Sequence, residues 1–142
     1  MGASAAGVRV PAVEGWFTIG ADGDAAQAVS SLAQVHLRSG APQLAEEQAR
    51  LALSTLATRD DFLEERGNLQ LVLGQALLEQ KQGEAALAEF ATAERLFQRL
   101  GSKSLLAAAW TAEGDAYAHL GDTESAAALY RRAATELQDF HF

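Results

Sequence analysis

The residues best equipped for chemistry in this 142-residue chain are its histidines and clustered acids, and their spacing withholds the common reactions. His36, His119 and His141 form no H-x3-H pair, the spacing that sets two imidazoles on one helical face for a metal ion. His36 reads as a packed residue, His119 as a helix-surface residue and His141 as part of the tail. Asp22-Gly23-Asp24 has the look of a calcium loop, but the bidentate acid expected eleven residues on would be Ala33. It reads better as a turn in which Asp24 caps the first helix. Cysteine is absent, which excludes disulfides, thiolate catalysis and cysteine-ligated metals. No glycine-rich phosphate loop, Ser/His/Asp set or paired carboxylates stand out. The expectation is a non-catalytic protein with no cofactor and no metal.

Charge narrows the partners. Nineteen acids against eleven lysines and arginines give a formal net charge of −8. A surface that must neutralise phosphates needs the opposite balance, so direct nucleic-acid binding is not expected. An anionic membrane surface is disfavoured for the same reason, and no apolar run approaches the roughly 20 residues of a bilayer span. The opening Met-Gly-Ala-Ser-Ala-Ala-Gly lacks the basic and apolar regions of a secretory signal, and Ala6 spoils the myristoylation pattern. A cytoplasmic location is expected.

The elements that must position any site are helices. Alanine and leucine dominate the apolar residues, and both lose little freedom in a helix. The only prolines are Pro11 and Pro42, so nothing interrupts long helices beyond residue 43. A skeleton then recurs. The last third carries Trp110-x3-Gly114-x2-Tyr117, then Leu120-Gly121-Asp122, Ala126, Tyr130 and Ala133. The middle third carries Leu73-Gly74-x2-Leu77, Ala86, Phe90 and Ala93, and the first third Leu32-Ala33-x2-His36, Gly40, Ala45, Ala49 and Ala52. Ala33, Gly74 and Gly114 stand 41 and then 40 residues apart. Two antiparallel helices can cross closely only where a small residue sits, which assigns Gly74 and Gly114 to the crossing, opposite Ala86 and Ala126. Trp110, Tyr117, Phe90 and Tyr130 fill the wider space around them. Turn and cap residues divide the chain into helices near 25–39, 43–57, 62–81, 84–99, 103–119 and 123–139.

This skeleton resembles the tetratricopeptide repeat, whose signature is W-x2-L-G-x2-Y…A-x3-F…A. The resemblance covers residues 26–140, as repeats near 26–59, 67–100 and 107–140, with 1–23 a separate cap or linker. Departures are visible: Glu113 stands at the leucine position, Gln70 at the tryptophan position, and His36 and Ala49 replace two aromatics. The implied fold is all-α, three tandem antiparallel helix-turn-helix repeats in a right-handed α-solenoid with a concave inner face.

The resemblance also implies a site, because the first helix of each repeat in this family lines the concave face and extended peptides lie there. The matching positions are Gln27, Ser30, Gln34 and Arg38, then Asn68, Leu71, Gln75 and Glu79, then Ala108, Thr111, Asp115 and His119. Their amides suit a peptide backbone, each offering a donor and an acceptor. Ser30, Gln34, Val72 and Ala112 stand where the subclass that grips a C-terminal carboxylate concentrates basic and amide residues, so a heat-shock chaperone tail is not the expected ligand.

The ends suggest further contacts. Trp16-Phe17-Thr18-Ile19 makes an apolar knot that could cap the first repeat. Leu137, Phe140 and Phe142 leave apolar surface at the other end, where a homodimer would bury both copies at once. The long period, the Leu-Gly-Asp turn and the segment Glu94–Gly101 also resemble repeats at the C-terminal end of bacterial, particularly actinobacterial, helix-turn-helix regulators. That resemblance implies a sensing or dimerising role. The leading expectation is a protein-interaction module that binds a peptide or protein segment, and the alternative is a self-assembling scaffold.

Overall fold

The computed structural model describes residues 22–56 and 60–138, and among these every regular element is a helix. They run α1 (Asp22–Arg38), α2 (Pro42–Leu56), α3 (Leu63–Glu79), α4 (Gly83–Leu100), α5 (Lys103–His119) and α6 (Thr123–Gln138). The expected boundaries hold to within three residues. The larger shift is at α1, which starts at Asp22, so Asp24 lies in its first turn and does not cap it. Trp16 to Ile19, Phe140 and Phe142 lie outside the described residues.

Local chemistry explains the helix ends. Ser102 caps α5 by accepting a hydrogen bond from the Leu105 amide, and Asp122 does the same for the Ser125 amide ahead of α6. Gly40 and Gly121 turn the chain between the helices of the first and third pairs with φ of 85° and 87°. Lys81 holds the corresponding position of the second pair at φ 65°, a conformation that disfavours a side chain.

Within the second and third pairs the crossing is locked by a ring. A Cβ placed on Gly74 would run into the ring of Phe90, and one on Gly114 would lie 2.6 Å from Tyr130 Cε1. Gly67 meets Phe97 in the same way, two turns earlier on α3. The first pair replaces Phe90 with Ala49, and there the glycine is replaced too, by Ala33. Gly83 serves a different contact, admitting Leu120 and His119 to the start of α4.

The pairs are joined by a repeated apolar interface. Each helix packs on the next, and the first helices of neighbouring pairs also touch, α1 with α3 and α3 with α5. Between the first and second pairs, Leu56 packs in one cluster with Leu69, Ala49 and Leu53 with Leu73, and Ala45 with Val72 and Ala76. Between the second and third, Phe97 clusters with Ala109, and Ala86 and Phe90 with Ala112 and Ala116. Full burial of a leucine or phenylalanine contributes about 1.5–3 kcal/mol, so Leu56, Leu69, Phe90 and Phe97 carry much of the cohesion. The architecture is an α-solenoid of three helix pairs.

Candidate functional site

The first helices α1, α3 and α5 share the inner wall of the solenoid, and a cleft of about 740 Å³ opens there. Six expected groove residues line it: Gln34 and Arg38 from α1, Gln75 and Glu79 from α3, Asp115 and His119 from α5. Three more join them, Leu37, Leu78 and Lys81. The leucines give the floor apolar surface between the amides, and Lys81 brings a cation from the turn after α3. Neither was singled out in the sequence. Leu37 and Leu78 stand three residues after Gln34 and Gln75, a helical spacing that shares their face and was the available signal.

The remaining expected positions are placed differently. Gln27, Ala108 and Thr111 are exposed and Asn68 is half-buried, all outside the cleft lining. The Thr111 hydroxyl is turned back on its own helix, donating to the Ala107 carbonyl at 3.0 Å. Leu71 packs against two core clusters. Ser30 is only 4% exposed, so its hydroxyl is not offered to a ligand. Leu137 is exposed at the far end of α6.

Two hydrogen-bonded ties stiffen the cleft. Tyr130 donates from its hydroxyl to Asp115 Oδ1 at 2.5 Å, and this bond to a carboxylate pushes the phenol up to about 12. Gln80, next to Lys81, donates to Glu46 Oε1 at 2.9 Å and to the Ala76 carbonyl at 3.0 Å. Glu46 also accepts from Arg50 Nε at 2.8 Å. The Gln80 and Arg50 bonds together hold the Glu46 carboxyl below its ordinary range. The formal charges around the cleft balance, Arg38 and Lys81 against Glu79 and Asp115.

A separate carboxyl pair lies between α4 and α5. Glu113 occupies a leucine position of the repeat and is buried, with Oε2 lacking a hydrogen-bond partner. Burial first, then the hydrogen bond and charge of Glu94, push its carboxyl up to about 8. Glu94 is held low by that same interaction, so the two carboxyls titrate as a coupled pair. Arg132 lies over the neighbouring Trp110 ring, 4.2 Å from its centroid. No group of three or more metal-ligating side chains occurs among the described residues. Nor is any described helix long and apolar enough to cross a membrane.

Comparison with solved structures gives the fold its name. The crystal structure of the TPR domain of Arabidopsis FLU superposes with a TM-score of 0.72, covering 80% of this chain and 95% of that one at 23% identity. The fold is that of a tetratricopeptide-repeat domain. The TPR fold accounts for the ring-locked pairs and the inner wall built from first helices. No protein-family model matches the sequence, and no curated protein matches it.

Proposed function

We propose that this chain is a non-catalytic interaction module that holds a peptide or protein segment in the cleft formed by α1, α3 and α5. The observation that carries this reading is the convergence of Gln34, Gln75, Asp115 and their partners Arg38, Glu79 and His119 from three repeats onto one concave wall. Two exposed glutamines on adjacent helices offer paired donors and acceptors to an extended backbone, while Leu37 and Leu78 offer apolar contact between them. The balanced charge selects a ligand carrying both signs more readily than a polyanion.

The test is capture from lysate by the full chain, comparing wild type with a Gln34→Arg, Gln75→Arg double variant of equal helicity. Loss of a partner in the variant is the expected result. Partners retained by the variant would place binding outside the cleft.

A second reading, self-association through the open end of α6, is favoured by one observation. Leu137 is 44% exposed, whereas its counterpart Phe97 in the preceding repeat is fully buried.

A further inference from the structure

The repeat symmetry lets each exposed residue at the two ends be compared with its buried counterparts inside. On α3 and α5 the residues that dock onto the preceding pair are Leu69 and Ala109, Val72 and Ala112, Ala76 and Ala116, all buried. Counting back by the 41-residue spacing of Ala33 and Gly74, the same positions on α1 are Ala28, Ser31 and Val35, and all are exposed, Val35 at 50%. Leu32, the counterpart of Leu73 and Glu113, is 37% exposed. The receiving face is equally regular. Leu56 and Phe97 are buried under the next first helix, while Leu137 is open; Phe90 is buried, while Tyr130 is 37% exposed.

The unpaired faces therefore carry the two halves of one interface that this chain already builds twice. We propose that copies of this chain stack head to tail, the α1 face of one seating on the α6 face of the next in the register that joins the repeats internally. This rests on the self-association reading and specifies its geometry, a heterologous contact in place of a two-fold one. Continuity with the internal interface supports it residue by residue. Leu56 meets Leu69 and Phe97 meets Ala109 inside the chain; the stacked register sets Leu137 against Ala28. Ala45 meets Val72 and Ala76, and Ala86 and Phe90 meet Ala112 and Ala116; the stacked register sets Ala126 and Tyr130 against Ser31 and Val35. Leu53 packs with Leu73, and Glu94 is electrostatically coupled to Glu113; the stacked register sets Ala134 against Leu32. At that position the stack pairs two apolar side chains where the second internal junction sets the half-buried Glu94 against the buried Glu113. No charge falls at any of these positions, so no unpaired ion is sealed in the contact.

The test is sedimentation velocity of the full chain over a range of concentrations, with Val35→Glu and Leu137→Glu variants and their equimolar mixture. Both positions are exposed, and circular dichroism checks that helicity is kept. The expected result is a wild-type sedimentation coefficient that climbs with concentration without stopping at dimer. Each variant alone should stay monomeric, because it retains only one working face. The mixture should form a dimer and nothing larger, since one variant supplies the α1 face and the other the α6 face. Association abolished by Leu137→Glu but untouched by Val35→Glu would overturn head-to-tail stacking and leave a two-fold contact. A wild type monomeric throughout would overturn self-association itself, with other residues of the same chain covering the ends.

Discussion

Tyr130 on α6 donates a 2.5 Å hydrogen bond to Asp115 on α5, tying the last helix to the wall of the cleft. The same ring closes over Gly114, so one side chain sets both the helix crossing and the direction of a cleft carboxylate. The bond occupies Asp115 Oδ1 and fixes the carboxylate's direction, leaving Oδ2 as its acceptor toward the cleft. In a Tyr117→Phe background, ultraviolet titration should find Tyr130 ionising near 12. Adding Asp115→Asn should return it toward the ordinary value of 10.0. An unmoved titration would mean that the bond does not persist in solution.

Gly74→Ala should destabilise the fold by about 1–3 kcal/mol, because its methyl runs into the Phe90 ring in a filled core. Phe90→Ala alone should cost about 3–5 kcal/mol. The double variant, which copies the Ala33 and Ala49 pairing of the first repeat, should cost less than the sum of the two. Urea unfolding of the four proteins gives the coupling directly.

Glu113 makes stability fall as pH rises. Its folded carboxyl is held up to about 8 against 4.5 when unfolded, so the fold binds the proton more tightly than the unfolded chain. The penalty grows from about pH 4.5 upward and levels off above about pH 8. Glu94 is shifted downward, so its contribution changes only on the acid side of that window. Glu113→Gln should raise Tm by several degrees at pH 8 and scarcely change it at pH 5, read by calorimetry. Equal effects at both pH values would refute the raised Glu113 carboxyl.

Lys81→Gly should stabilise the protein by about 1 kcal/mol, since glycine takes the left-handed conformation without a Cβ penalty. Gly40 and Gly121 already do so at the matching turns. If the lysine is retained for the ligand, the same change should weaken partner capture. Denaturant midpoints and capture assays on one preparation would show both shifts. A variant more stable and equally competent would remove Lys81 from the cleft's chemistry.

The helix pairs were legible in the sequence because their determinants are local. The spacing of Gly74 with Ala86 and Phe90, and of Gly114 with Ala126 and Tyr130, repeats in one dimension what the crossing requires in three. Six cleft residues were legible for the same reason, as one face of a helix follows from its period. Ser30 was not, because its burial depends on how tightly α1 meets its neighbours. Lys81 escaped notice because it lies in a turn, where direction follows from backbone dihedrals. Glu113 was visible only as a departure at a leucine position. Its proton depends on Glu94, nineteen residues away on another helix.

The matching of Gly74 to Phe90, Gly114 to Tyr130 and Ala33 to Ala49 sets the grain at which such a chain can be recombined. An exchange that joined α3 to α2 would set a glycine opposite an alanine and open a void. One that joined α1 to α4 would drive a methyl into an aromatic ring. Duplication or shuffling of whole helix pairs keeps each small residue with its own partner, so the pair is the unit that can be exchanged intact and a breakpoint at Gly40, Lys81 or Gly121 is the damaging one.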